Sequence, residues 1–194
     1  MTITLIRHGK TSANEKKLYC GHTDLDLSET GINELLSLKE TVNYPPADVY
    51  AATGLKRTVS TLNILFGARK YTTVPELMEY NFGDYEMKTH GELQNEPGYI
   101  EWISDEAVRC PNGESRKEFL TRIETGFAKL KAISERERGR LGEAARVTCV
   151  CHGGVVASLM EALFPGKRGF YEWQPGFGRG YAVSFGADIN YKII

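Results

Sequence analysis

Apolar and polar positions change period several times along this chain, and each change marks an element. Thr2 to Arg7 is a short, nearly continuous run of strand-forming residues, the pattern of a buried strand. From Ser28 the apolar positions Ile32, Leu35, Leu36 and Leu38 take up helical spacing, with Ser28 placed to cap the first turn. Pro45-Pro46 is expected to end that helix, and Ala47 to Ala52 reads as a second short strand. Gly54-Leu55-Lys56-Arg57 leads into a helix carried by Val59, Leu62, Ile64 and Leu65, and Tyr71 to Val74 reads as a third strand.

Periodicity is lost from Glu79 to about Ser115, where Gly83, Gly91, Pro97, Gly98, Pro111 and Gly113 interrupt the chain; it returns as a charged helix over Phe119 to Arg138. Residues of about 79–138 are therefore expected to form an insertion, partly helical, that covers the site. ERERGRLGE, at 135–143, is a charge-rich helix end and loop on a solvated face. Val147 to Cys151 is a strongly apolar strand running into His152-Gly153-Gly154 and a helix over Val155 to Leu163. Tyr181 to Phe185 and Tyr191 to Ile194 pair around a turn at 186–190.

Strands alternating with helices predict an α/β fold, a mostly parallel sheet covered by helices on both faces. No repeat, low-complexity tract or linker divides the 194 residues, so 1–194 is expected to be one domain. With 24 Lys plus Arg against 25 Asp plus Glu, the net charge of -1 gives no electrostatic footprint for nucleic acid or an anionic membrane. No apolar run is long enough to span a bilayer and no signal-peptide pattern is present, which predicts a cytoplasmic protein. Cys20, Cys110, Cys149 and Cys151 are read as reduced thiols, without the spacing of a metal site.

In such sheets ligands bind beyond the carboxyl ends of the strands. Arg7-His8-Gly9, Arg57 and His152-Gly153-Gly154 all fall at such ends. Two arginines and two histidines suit a phosphomonoester, whose oxygens match the planar fork of Arg. Gly9 and Gly154 are expected to bring backbone N–H groups close to the anion, and Asn14 to add an amide donor. Neutral imidazole is a competent nucleophile. His8 is assigned that role, with Arg7 and His152 on the phosphate oxygens. The leaving alkoxide needs a proton, and Glu76, Glu79, Asp84 and Glu86 are the candidates. Spacing does not choose among them, although Glu79, between Met78 and Tyr80, has the most apolar neighbours.

IRHGKTSAN, GHTDLDLSETG, LKRT, LMEYNFGDYE, NGES and VCHGG, in this order over most of the chain, resemble the histidine phosphatase superfamily, also called the RHG or phosphoglycerate-mutase-like family. The resemblance is closer to short bacterial phosphatases of the alpha-ribazole-5'-phosphate phosphatase type than to cofactor-dependent phosphoglycerate mutases. It implies a three-layer α/β/α sandwich and no metal or organic cofactor. Residue by residue, it implies His8 as the phosphorylated nucleophile, Arg7 and Arg57 as phosphate-binding arginines, His152 as the second pocket histidine and Glu79 as the proton donor. Asn14 and Gly153 would contact phosphate, and Thr23 would line the mouth. Two departures stand near that mouth: Glu86-Met87 where many relatives have Glu-Gly, and Thr53-Gly54 where a Ser-x pair is usual.

The function expected is hydrolysis of a small phosphorylated metabolite, such as alpha-ribazole 5'-phosphate, through a phosphohistidine at His8. A phosphoglycerate mutase is the alternative within the class, and a non-catalytic phospho-ligand binding module the alternative outside it. Partners are expected to be the small metabolite and a second copy in a homodimer, with neither nucleic acid nor membrane. Trp102, Trp173, Tyr171 and Phe177 are read as packing residues, and His22 and His90 as surface ones. Tyr171 or Arg179 is a candidate contact to the non-phosphate part of the substrate.

Overall fold

Strands β1 (Thr2–Arg7), β2 (Val49–Ala52), β3 (Tyr71–Thr73), β4 (Arg146–Cys151), β5 (Gly180–Phe185) and β6 (Ile189–Ile193) form one sheet in the order β3-β2-β4-β1-β5-β6 in the computed structural model, which describes residues 1–142 and 144–194. The three pairings among β3, β2, β4 and β1 are parallel, and β5 and β6 complete the sheet antiparallel. β1 and β4 are buried on both faces, which accounts for their near-continuous apolar sequence.

Helices α1 (Ser12–Glu15), α2 (Glu29–Thr41), α3 (Lys56–Phe66), α4 (His90–Leu93), α5 (Pro97–Ser104), α6 (Arg116–Arg136), α7 (Arg138–Leu141), α8 (Gly153–Leu163) and α9 (Phe170–Trp173) join the strands. Alternation along the strands divides the core. Ile6, Ala52 and Val150 face α2 and α3 through Leu35, Leu62 and Leu65, whereas Leu5, Ala51 and Cys149 face α6 and α8 through Ile123, Leu130, Val156 and Met160. This is the α/β/α sandwich expected from the sequence.

Element boundaries depart from the sequence reading where local chemistry overrides periodicity. α2 is capped by Ser28, whose hydroxyl accepts from the Gly31 N–H, but it ends at Thr41, ahead of Pro45-Pro46. The expected strand from Ala47 begins at Val49. α6 begins at Arg116, because Ser115 and Glu118 form a reciprocal capping box. Within the stretch expected to be irregular lie α4, α5 and a 3-10 turn at Gly83–Tyr85, and another 3-10 turn, Pro75–Leu77, stands just before it; Pro97 is an interruption that opens a helix, occupying its first turn. The charged 135–142 stretch holds Arg138–Glu135 and Arg140–Glu137 ion pairs on an exposed face, and its last member, residue 143, lies outside the described residues. All four cysteines are free thiols, and Cys110, Cys149 and Cys151 are buried. Among the described residues no helix is long and apolar enough to cross a membrane.

Candidate active site

Sheet register assembles the site. Arg7 pairs with Cys151 across β1 and β4, so the next residues, His8 and His152, leave the sheet side by side. Their rings meet edge to face at 5.1 Å between centroids. On the other side of β4, Ala52 pairs with Val150, which places Thr53 beside His152. The Thr53 hydroxyl is 3.1 Å from His152 Nε2 and 3.1 Å from the Thr58 hydroxyl, which itself donates to the Leu55 carbonyl. That chain leaves Thr53 donating to Thr58 and accepting from His152 Nε2–H.

Both histidines are buried and held neutral. Burial pushes each pKa well below the usual imidazole value, and the Arg57 cation pushes them further down. His8 Nδ1 lies 2.6 Å from the Gly9 carbonyl. A carbonyl only accepts, so Nδ1 carries the proton and the lone pair sits on Nε2.

The arginines are fixed by backbone carbonyls. Arg57, 1% exposed, donates to Thr23 O at 2.8 Å and Gly21 O at 2.5 Å. Arg7 donates to Pro175 O at 2.9 Å and lies 3.9 Å over the Phe177 ring. Burial lowers both guanidinium pKa values, and arginine remains a cation at neutral pH in protein interiors. Arg7 Nε, Arg57 Nε and His152 Nδ1 are all buried without a hydrogen-bond partner. Buried polar atoms are seldom left so. The two guanidinium N–H groups are unspent donors, and His152 Nδ1, the acceptor nitrogen of the neutral ring, becomes a third donor only once His152 is protonated; together they surround the neutral His8 imidazole in an arrangement that suits an anion.

Of the four candidate carboxylates only Glu79 reaches this group. It accepts from Gly154 N at 2.8 Å, at the start of α8, and from Tyr80 N at 3.0 Å. Glu76 pairs with Lys129, Asp84 accepts from Asn112, and the Glu86 carboxylate holds the Gly21–Thr23 loop through His22 N, Thr23 N and the Thr23 hydroxyl. Glu86 thereby positions the two carbonyls that orient Arg57.

Several expectations need correction. Gly9 and Gly154 do not present free N–H groups: Gly9 N donates to Thr61 and Gly154 N to Glu79. Both glycines of the HGG run lie inside α8, and what they provide is room. A Cβ at Gly154 would stand 2.4 Å from Glu79 Oε1, and one at Gly153 2.9 Å from Arg7 Nε. Two other expected phosphate-side residues have partners without being ruled out: Asn14 Oδ1 accepts from Thr11 N at 3.0 Å in a capping box, a bond that does not use its amide nitrogen, and the Thr23 hydroxyl donates to Glu86. Phe177 is a platform for Arg7 and faces His8 at 6.2 Å, and Tyr171 is 84% exposed; neither is a packing residue, whereas Trp173 is fully buried. The contacts of Thr53, Phe177 and Glu86 were not expected from the sequence, which reads Phe177 as packing and Glu86 as a candidate proton donor. Thr53 was signalled by its departure from the Ser-x pattern, a departure that touches the histidine itself as well as the mouth.

A cavity of about 540 Å³ opens beside Glu79. Tyr19, Phe82, Trp102, Phe170 and Tyr171 supply aromatic walls, with Arg116 at the edge. Arg179 is absent from its lining.

The pattern that defines the histidine phosphatase superfamily (branch 1) matches residues 3–175, and the chain belongs to that superfamily. It is an enzyme of the phosphatase kind. Over 168 residues, 84% of this chain and 79% of the relative, it is 32% identical to the adenosylcobalamin/alpha-ribazole phosphatase of Salmonella typhimurium. It is 30% identical to the glucosyl-3-phosphoglycerate phosphatase of Mycobacterium tuberculosis, over 83% of this chain and 74% of that one. The crystal structure of the alpha-ribazole phosphatase from Shigella flexneri superimposes on all of this chain and 96% of its own, with a TM-score of 0.81 at 27% identity.

Proposed function

We propose that this chain hydrolyses a phosphomonoester whose leaving group is an aromatic riboside, with alpha-ribazole 5'-phosphate as the substrate, through a phosphohistidine on His8. The observation that carries the reading is the His8–His152 pair beside two unspent arginine N–H donors and the unpartnered His152 Nδ1, with Glu79 alongside. The phosphate enters among Arg7, Arg57 and His152, and its negative charge offsets what burial has taken from His152, which then holds Nε2–H on Thr53 and donates from Nδ1 to a phosphate oxygen.

His8 Nε2 attacks phosphorus in line as the P–O bond to the leaving group breaks. Glu79, protonated, gives its proton to the departing oxygen, and the resulting carboxylate then takes a proton from the water that attacks the phosphohistidine. The N–P bond breaks, inorganic phosphate leaves, and both His8 and Glu79 return to their starting states. Each half-reaction balances without a metal or an organic cofactor.

The aromatic walls beside Glu79 support a planar leaving group, since stacking geometry there suits an offset ring. The relatives named for alpha-ribazole support the same choice. The test is steady-state hydrolysis, with chelator present, of alpha-ribazole 5'-phosphate, a sugar phosphate and 3-phosphoglycerate with and without 2,3-bisphosphoglycerate. Preference for the riboside, abolished in His8→Ala, is the expected result. Phosphoryl exchange on phosphoglycerate that depends on the bisphosphate would favour a mutase, and phosphate binding without turnover a binding module.

A further inference from the structure

Glu79 sits on a segment with almost no regular structure of its own. It lies between two short 3-10 turns, Pro75–Leu77 and Gly83–Tyr85, and belongs to neither. A proton donor must nevertheless be held to a fraction of an ångström to act in a transition state. The restraint comes from α6, the 21-residue helix behind it.

Arg122 on α6 spends its guanidinium on this one segment. Its Nη1 donates to Glu76 O at 2.8 Å and Met78 O at 2.9 Å, and its Nη2 to Glu79 O at 3.1 Å. The remaining two bonds, Nε to Glu114 Oε2 at 3.1 Å and Nη2 to Glu114 Oε1 at 2.6 Å, form a bidentate ion pair. Glu114 then holds the far side: its Oε1 accepts from Asn81 N at 2.8 Å and its carbonyl from the Tyr80 hydroxyl at 2.6 Å. The backbone is thus gripped at 76, 78 and 79 by the cation and at 81 by the Glu114 carboxylate, while the Glu114 carbonyl holds the Tyr80 side chain. The pair is well shielded, with side chains 22% and 12% exposed, so solvent screens it little. Gly126, one turn further along α6, admits Leu77 where a Cβ would meet its Cγ at 2.7 Å, which brings helix and segment close enough for the guanidinium to reach.

We propose that Arg122 and Glu114 are positioning residues for proton transfer: their ion pair sets where the Glu79 carboxyl stands relative to the leaving-group oxygen. The inference rests on Glu79 being the proton donor. Neither residue hydrogen-bonds the phosphate pocket, so the geometry of the clamp acts on protonation of the leaving group; the Arg122 cation is also felt by His152, and a substitution that keeps the charge separates the two effects. Lysine at 122 keeps the charge but has lost the planar fork that grips three carbonyls and a carboxylate together.

The experiment compares kcat/KM, which reports formation of the phosphohistidine alone, for p-nitrophenyl phosphate and p-nitrobenzyl phosphate. Nitrophenolate leaves without a proton; the benzylic alkoxide does not. Arg122→Lys and Glu114→Gln are expected to lose about tenfold or more on the benzyl ester while staying within about threefold on the phenyl ester, as removal of general acid catalysis requires. Glu79→Gln, run beside them, is expected to show the same leaving-group dependence more strongly. Equal losses on both esters in the Arg122 and Glu114 variants, or no loss on either, would overturn the clamp while Glu79→Gln still upholds the proton donor. Absence of leaving-group dependence in Glu79→Gln itself would overturn both. Two substitutions from opposite sides of the ion pair keep the test decisive when one of them fails to fold.

Discussion

His8 and His152 come from positions 144 residues apart in sequence and stand with ring centroids 5.1 Å apart. The parallel register that pairs Arg7 with Cys151 produces this contact, because each histidine is the first residue beyond its strand. The same register decides what surrounds them. Apolar strands deliver the imidazoles into a low-dielectric site, and Arg57 adds a nearby cation, so both are kept neutral.

Neutral buried histidines carry a cost that acid exposes. Below the ordinary imidazole value near 6.5 the unfolded chain binds protons that the folded chain refuses, so stability rises with pH there and is lost as pH falls. The slope is expected to reach about 1.4 kcal/mol per pH unit for each of the two residues. Urea unfolding between pH 7.5 and 5 measures it, with His8→Asn as control; a flat profile would mean that the histidines are not held neutral by the fold.

Gly154 leaves space for Glu79. Gly154→Ala sets a Cβ against Glu79 Oε1 and is expected to displace the carboxyl, lowering kcat on the riboside about tenfold to a hundredfold while the chain stays folded. Steady-state kinetics with a thermal unfolding control checks it. Full activity would remove Glu79 from the chemistry.

Met87 occupies the left-handed region at φ 63° although it is not a glycine. That conformation costs an L-residue about 1–2 kcal/mol, and glycine returns part of the gain as extra freedom in the unfolded chain. Met87→Gly is therefore expected to stabilise the protein by about 0.5–1 kcal/mol in chemical unfolding, without changing kcat. A net loss of stability would show that the exposed Met87 side chain contributes more than the strain takes away.

The sheet was legible in the sequence because it is built from apolar runs that end abruptly in Arg-His-Gly and His-Gly-Gly. Arg7, His8 and His152 followed from that, since a strand's carboxyl end fixes where its next residue goes, whereas Arg57 stands in the first turn of α3, five residues past β2. The glycines were harder: they looked like places for an anion to approach the backbone, and they are places where Glu79 and Arg7 need a missing side chain. α4 and α5 were hidden because each is short and begins beside residues that usually interrupt helices, as Pro97 does at the start of α5. The roles of Thr53, Phe177, Glu114 and Arg122 depend on contacts between segments far apart in the chain, and no local pattern encodes these.

The most direct measurement is the covalent state of His8 during turnover. Enzyme mixed with substrate, quenched in alkali within milliseconds and digested, is predicted to yield a phosphorylated peptide containing His8, with the modification lost in acid and absent from His8→Ala. Sustained hydrolysis with an unmodified His8 peptide at every quench time, or hydrolysis that persists in His8→Ala, would contradict the account.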